Sequence, residues 1–351
     1  MTTSRTQYGY YPGCSLERSA SAYDVSTRAI AAALGLDLAE LDDWNCCGAT
    51  EYLAINKLAA YALIARNLAL AEKQFAPGDG SGGAHKAQLV APCSACFLNL
   101  RKADHHLQED KTLAVKTNEA LAAGGLHYDA GAVKIRHLLD VIVSDVGYAR
   151  VKELVVKPLT GLRVAPYYGC LFSRPHLGGE RRTQGVRTNP EYPMELDRLL
   201  KLLGAEVVYF PLKTHCCGGH MTQISADVAY ELIRRLLQNA ADFQADILAT
   251  LCPMCQLNLD AYQQQVSRHF GVKFNLPIVY FTQLMGLAFG IEAKALGFGK
   301  EIVSAAPALA RIGIQAPLPE GEAEKPKRKP RRPKEALPLP VMPAESEEME
   351  L

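Results

Sequence analysis

The residues in this chain that could do chemistry are its ten cysteines, and their spacing repeats. Asn45-Cys46-Cys47-Gly48 and His215-Cys216-Cys217-Gly218 each carry an adjacent pair, with a lone cysteine upstream and a Cys-x-x-Cys downstream. The first set is Cys14, Cys46, Cys47, Cys93 and Cys96; the second is Cys170, Cys216, Cys217, Cys252 and Cys255. Neighbouring side chains of an extended backbone point to opposite sides. A vicinal pair therefore does not readily clamp one small ion, but it can offer thiolates to two metal atoms of a larger object. Four chemistries compete. Structural zinc takes four thiolates in a tetrahedron and leaves one cysteine per set spare. A Cys-x-x-Cys redox disulfide leaves the upstream cysteines without a role. A vicinal disulfide is strained. An iron–sulfur assembly with five thiolates per set uses all ten, although an ordinary cubane takes four, often in tight spacing.

The elements that must position these thiols alternate between strand and helix. Residues 6–11 read as a strand turning at Pro12-Gly13 to deliver Cys14. A helix over 20–34 stops at Gly35, a strand over 36–41 leads to the first Cys-Cys-Gly, and a long helix covers 50–74. A Gly-rich loop (77–83) precedes a strand over 88–91, and a helix opens from Phe97 after Pro92-Cys93-Ser94-Ala95-Cys96. The second half repeats this grammar: strand 162–168, helix 193–203, strand 206–210, helix 225–243, strand 246–251, helix 256–269 and strand 277–281. Residues 102–131 read as a polar connector and 133–142 as the end of the first unit. Alternating strands and helices predict parallel α/β layers, and the repeat predicts two similar domains, 1–150 and 151–304. Cys-Cys-Gly and Cys-x-x-Cys stay fixed while the connections vary. There are 31 residues between Cys14 and Cys46 but 45 between Cys170 and Cys216. Surface connections tolerate insertion, and a ligand set does not.

The sites fall at the C-terminal edges of the strands, where open α/β sheets place ligands. Cys93 and Cys252 also open helices, whose free N–H groups and dipole favour thiolate. Pro253 suits a first helical turn. A net charge of +1 gives no reason to expect nucleic acid or an acidic membrane as the main partner. No apolar leader precedes the first strand, and the longest uncharged apolar run, 276–291, is shorter than the ~20 residues of a membrane span. Cytoplasm is the expected compartment, where clustered thiols bind metal or react. Residues 305–351, proline-rich and charged, are expected to form a disordered tail.

The double pattern resembles the B-subunit family of heterodisulfide reductases, which carries two Cys-Cys-Gly (CCG) domains, over roughly residues 7–290. Tyr11-Pro12-Gly13-Cys14, Asn45-Cys46-Cys47-Gly48, Ala91-Pro92-Cys93-Ser94-Ala95-Cys96 and Cys252-Pro253-Met254-Cys255 carry the likeness. The resemblance implies two Rossmann-like parallel sheets related by a pseudo-two-fold axis. It also implies one non-cubane [4Fe-4S] cluster per domain, bound by the two quintets named above. In that family a disulfide is split between facing clusters, making the chain an oxidoreductase acting on sulfur groups. Electrons come from two partners, a C-type cubane iron–sulfur subunit with an A-type flavin subunit, and any membrane association is through partners. The same domain occurs in succinate, glycolate and lactate oxidoreductases, so the alternative is a non-catalytic electron-transfer subunit serving a quinone. A zinc-stabilised scaffold is the third reading. Beyond the ligands, His215 and His220 are candidate proton or hydrogen-bond donors, and Trp44 and Asn45 candidate shields or sulfur partners. Arg174 and His176 are candidates for a substrate cleft. Lys213 is expected to be exposed, and His105, His106 and His137 to be surface or core residues outside the constellations.

Overall fold

The computed structural model describes residues 7–49, 52–76, 86–173 and 189–319. The Gly-rich loop and the stretch 320–351 lie outside them. Each half builds one parallel sheet. In the first, β1 (Gln7–Tyr10), β2 (Asp37–Glu40), β3 (Ala87–Ala91) and β4 (Val133–His137) run in the order β2-β1-β3-β4. In the second, β5 (Arg163–Tyr167), β6 (Glu206–Val207), β7 (Ile247–Thr250) and β8 (Ile278–Tyr280) take the matching order β6-β5-β7-β8. The expected α/β fold with two similar sheets is therefore present. All four residues of β7 are buried, as in a parallel strand covered on both faces.

The helices of the first half are α1 (Ser21–Leu34), α2 (Tyr52–Ile55), α3 (Lys57–Phe75), α4 (Ser94–Glu109), α5 (Lys111–Ala122), α6 (Leu138–Val141) and α7 (Gly147–Glu153). Gly35 ends α1 at φ 73°, as its place in the sequence predicts. The single helix expected over 50–74 is two, because Asn56 is extended and its side chain accepts from the Ala59 N–H as the N-cap of α3. The polar connector over 102–131 turns out to hold the end of α4 and all of α5, which Asp110 caps by accepting from Leu113 N. A fourth strand, β4, stands where only a domain end was expected. Its Arg136 is 3% exposed and hides as a core residue because Asp140, 2.7 Å away, neutralises it.

The second half contributes α8 (Gly169–Ser173), α9 (Glu195–Leu202), α10 (Met221–Ile224), α11 (Ala226–Asp242), α12 (Pro253–Ala261), α13 (Gln263–Phe270), α14 (Phe281–Ala288) and α15 (Ala306–Ala310). The helix expected over 256–269 breaks at Tyr262. There the side chain of Gln263 turns to bond both the N–H and the carbonyl of Leu276, tying the segment to the approach of β8. A tail beginning at 305 is corrected: Ala305, Ala308, Leu309 and Ile314 are buried, and Arg311 pairs with Asp246 at 2.7 Å. The proline-rich composition that suggested disorder starts only at Pro317, after these apolar residues.

One apolar cluster runs through both halves, from Tyr8, Tyr23 and Leu138 to Leu199, Phe281 and Leu309. Helix α1 packs on α14, with the Tyr23 ring stacked on Tyr280 at 4.3 Å and Ser26 Oγ 2.6 Å from Thr282 Oγ1. Its counterpart α9 packs on α7, where the Tyr148 hydroxyl donates to the Glu195 carbonyl at 3.1 Å. Among the described residues, no helix is long and apolar enough to cross a membrane.

Candidate functional site

All ten thiols stand beyond the C-terminal ends of the strands. Cys14 follows β1, Cys46 and Cys47 follow β2, and Cys93 is the N-cap of α4 after β3. Cys170 lies in the first turn of α8, Cys216 and Cys217 follow β6, and Cys252 caps α12 with Pro253 in its first turn. Each vicinal pair splits, as an extended backbone requires: Cys46 faces outward while Cys47 is buried, and Cys216 is half-buried while Cys217 is buried. Each quintet thus has an outer pair, Cys14 with Cys46 and Cys170 with Cys216, and an inner, buried trio. Sulfur–sulfur separations are 3.6 Å for Cys14–Cys46, 3.2 Å for Cys47–Cys96 and 3.5 Å for Cys217–Cys255.

A matching set of side chains, not expected from the sequence, holds each quintet. The Tyr11 hydroxyl donates to the Asn45 carbonyl at 2.6 Å, and that of Tyr167 donates to the His215 carbonyl at 2.7 Å. Both phenols are held far above their usual range by burial and then by the surrounding thiols, Cys96, Cys47, Cys46 and Cys14 for Tyr11 and their four counterparts for Tyr167. Asn99 donates to the Cys47 carbonyl and Asn258 to the Cys217 carbonyl, at 3.0 and 3.2 Å. Gly13 and Gly169, both in the left-handed region, let the chain pass the inner thiols: a Cβ there would lie 2.9 Å from Cys96 Sγ or 3.1 Å from Cys255 Sγ. The signal for these residues was in the sequence. Tyrosine and glycine stand three and one residues before each lone cysteine, and asparagine three after each Cys-x-x-Cys.

The protons show what the donor sets need. The hydrogen bond between Cys14 and Cys46 holds Cys46 well below the usual thiol range and pushes Cys14 up. The bond to Cys46 pushes Cys47 up to about 12. In the second half Cys252 is lowered by bonds from Cys255 and Cys93 and by N–H groups of its own helix, while Cys255 is raised. A buried pocket cannot hold five like charges, so each lowered thiol is matched by a raised neighbour. A cationic core would take the protons' place. The thiols touch one another in series, Cys46 with both Cys14 and Cys47 and Cys96 with both Cys47 and Cys93, and among the described residues no three or more ligand side chains converge on one ion. Five soft donors spread in this way fit a polynuclear iron–sulfur core better than one tetrahedral zinc.

The two Cys-x-x-Cys turns meet at the junction of the halves. The Tyr23 hydroxyl lies 3.1 Å from the Pro92 carbonyl and 3.3 Å from the Leu251 carbonyl, one residue before Cys93 and one before Cys252. Cys93 and Cys252 share a hydrogen bond that raises the first and lowers the second. His137, fully buried, accepts from Leu139 N at Nδ1, which places its proton on Nε2, 3.4 Å from Ser94 Oγ. Burial lowers it to about 4, so it is neutral. It is a core residue, as expected, but packed against the cysteine turns.

A cavity of about 390 Å³ opens beside this junction. All five thiols of the second quintet border it, together with Leu53, Leu98, Leu171 and Met254, and no thiol of the first quintet does. A separate hollow, also about 390 Å³, exposes Cys14 and Cys46 among Glu17, Glu40, Asp42 and Asp43. His220 lies on the wall of the first cavity, its Nε2 3.1 Å from the Ala49 carbonyl and so joining the two Cys-Cys-Gly loops. His215 is half-buried beside Cys216 and presents its carbonyl to Tyr167. Trp44 packs edge-on against Tyr11 beside Cys46. Asn45 does not bond sulfur: its amide donates to the Cys46 and Leu63 carbonyls and braces the loop. Lys213 is corrected from exposed to 1% exposed, because it pairs with Asp197 at 2.9 Å and lies over the Tyr192 ring. His105 and His106 lie on α4, paired with Glu109 and Tyr61. Arg174 and His176 lie outside the described residues.

Comparison with known proteins accords with this geometry. The family model of the cysteine-rich domain, CCG, matches twice, at residues 8–101 and 164–260. The chain is 34% identical to the 8-methylmenaquinol:fumarate reductase membrane anchor subunit of Wolinella succinogenes, over 85% of this chain and 98% of that one. It is 28% identical to a protein of Archaeoglobus profundus named as like the B subunit of heterodisulfide reductase, over 82% and 92% of the two chains. It is 27% identical to the B subunit of the ferredoxin:CoB-CoM heterodisulfide reductase of Methanosarcina mazei, over 86% and 95%. Among solved structures, a hypothetical protein from Helicobacter pylori shares the fold, with a TM-score of 0.63 at 15% identity. The match covers 85% of this chain but only 52% of that one, so this chain spans about half its length. With two cysteine-rich domains and relatives along most of its length, the chain belongs to the B-subunit family of heterodisulfide reductases.

Proposed function

We propose that this chain is the iron–sulfur electron-transfer subunit of a quinone-linked reductase built from several chains. Each quintet would hold one non-cubane [4Fe-4S] cluster, and the cavity beside the second quintet would receive the quinone ring. The observation that carries this reading is the cavity itself, which the five thiols of the second quintet share with Leu53, Leu98, Leu171 and Met254, so that a bound cluster would lie against an apolar lining. A flat, apolar oxidant fits such a wall. His220 lines the cavity with its Nε2–H given to the Ala49 carbonyl, which leaves Nδ1 as an acceptor for a quinol hydroxyl. The relative that is 34% identical over 98% of its length is named for a menaquinol-linked reductase, which supports the quinone over the disulfide as the small molecule. Bound, the clusters would supply one-electron steps. The chain's residues position them, exclude water and separate the two pockets. Partners would be a flavin-bearing chain and a cubane iron–sulfur chain, with membrane association through them and with the chain itself on the cytoplasmic side.

A second reading, disulfide reduction or its reverse, is favoured by the way the outer thiols Cys170 and Cys216 border the same cavity, leaving room for a sulfur ligand at a cluster. One experiment separates the two. Anaerobically purified, reduced protein is mixed with 2,3-dimethyl-1,4-naphthoquinone in one arm and with a small disulfide in the other, and reoxidation is followed by absorbance. Saturable oxidation by the quinone alone supports the relay; oxidation by the disulfide, with a thiol-dependent change in the EPR signal, supports sulfur chemistry. Iron and acid-labile sulfide analysis tests both. Cys47→Ala and Cys217→Ala should each remove about half of the iron, since each cluster needs all its ligands. A colourless protein holding about one zinc per half would restore the scaffold reading.

A further inference from the structure

Only the second quintet borders the inner cavity, while the first opens to the opposite, acidic hollow through Cys14 and Cys46. Any exchange between those two faces must cross the junction where the halves meet. At that junction the Cys93 and Cys252 thiols are hydrogen-bonded to each other, and His137 and Tyr23 each bond the carbonyls of Pro92 and Leu251. Tyr23 O–H lies 3.1 Å from the carbonyl of Pro92 and 3.3 Å from that of Leu251, and each carbonyl belongs to the residue joined to an inner cysteine. The ring is fully buried, stacked on Tyr280 at 4.3 Å with the planes 5° apart and edge-on to Phe281. Ser94, the residue after Cys93, also reaches the Leu251 carbonyl, at 3.4 Å.

We propose that Tyr23 is a positioning residue that fixes how closely Cys93 and Cys252, and with them the two clusters, approach each other. Its hydroxyl ties the backbone ahead of Cys93 to that ahead of Cys252, so thiolates of different clusters are held against each other. The one phenol proton is shared between the two carbonyls, and the shortest path between the ligand sets is the Cys93–Cys252 contact whose length this tie fixes. With both clusters bound, an electron lost by one would be gained by the other, and the phenol would keep its proton, which burial stabilises. Helix α1 explains why one tyrosine can do this. It springs from the first half, after the Cys14 turn, yet packs on α14 of the second, so its buried face belongs to both. The inference rests on the two-cluster reading but not on the identity of the small molecule.

The test is Tyr23→Phe in the full chain, which keeps the ring and its stack on Tyr280 but removes the bridge. Iron and sulfide content should be unchanged. The magnetic interaction between the two reduced clusters, read by EPR, should weaken. Equilibration of an electron between them after rapid partial reduction should be slower than in the wild type. Wild-type interaction and wild-type equilibration in an iron-replete Tyr23→Phe protein would make the tyrosine a packing residue and overturn the proposal. So would a wild-type protein that holds both clusters with no interaction between them. If Tyr23→Phe loses its clusters, Ser94→Ala removes the adjacent hydroxyl from Leu251 O and should shift the same signal in the same direction; no shift there overturns the proposal as well. A wild-type protein lacking iron and sulfide altogether sinks the two-cluster reading instead, a distinct result visible before any variant is made.

Discussion

Gly13 and Gly169 carry the most local constraint on the thiol pockets, because each combines a left-handed backbone with a thiol where a Cβ would go. Gly13→Ala should therefore lower occupancy of the first pocket and spare the second, and Gly169→Ala should do the reverse. Iron per chain, together with the EPR signal that remains, reads the difference. Lys213 belongs to the same scale. Buried with Asp197, it presents its own carbonyl to the N–H groups of Tyr168 and Gly169, at the entrance to the Cys170 turn. Lys213→Met should destabilise the protein by about 3–5 kcal/mol by stranding a buried carboxylate, and Lys213→Met with Asp197→Leu should recover most of that. Urea midpoints of the two variants check it. The cysteines were legible at this scale because side-chain identity alone marks them. The burial of Lys213 was not, since nothing near it in sequence announces that Asp197, sixteen residues earlier, will be its partner.

At the scale of elements, local signals did well where a cap or a turn decided the outcome and failed where a distant partner did. Gly35 ended α1 as expected, and Cys252 opened α12 with Pro253 in its first turn. Strand β4 escaped notice because its alternation, Val133, Ile135 and His137 against Lys134 and Arg136, looks half-exposed. It is the pairing of Arg136 with Asp140 and Asp145 that makes this sequence a buried strand. Near the end of α12, Asp260 accepts from the N–H groups of Ile302 and Val303 at 2.8 and 2.9 Å, holding the C-terminal segment to the helix. Burial raises its carboxyl from 3.8 to about 6. A raised folded value means that the folded state holds this proton more tightly than the unfolded chain does. Its stabilising contribution is complete below pH ~4 and is lost as pH rises through about 6, a fall of about 3 kcal/mol from this group alone. Asp260→Asn should remove that component from the pH dependence of the urea midpoint between pH 4 and 6. An unchanged slope would mean the carboxyl is ionised throughout.

Across the whole molecule, composition set the wrong end to the fold. The proline-rich, charged run drew the boundary back to residue 305, although Leu309 and Ile314 are buried and Arg311 reaches Asp246. A chain ending at residue 304 should be less stable than one ending at 319 by about 3–6 kcal/mol, the loss of two large aliphatic side chains from the core. Thermal melts of the two truncations give the answer. The repeat itself was legible as two matched cysteine patterns, but the way the copies join was not, because their contacts pair residues more than two hundred positions apart, such as Ser26 with Thr282. The apolar cluster that passes through both halves has a mechanical consequence. Domains that clamp shut on a guest swing about a loose, wet seam, whereas here the seam is greasy and interlocked. Opening it like a jaw would expose Tyr23, Leu199, Phe281 and Leu284 to water. The cleft beside the second set of sulfurs is thus a fixed notch, and the distance between the two sulfur-bearing corners does not change with what lies in it.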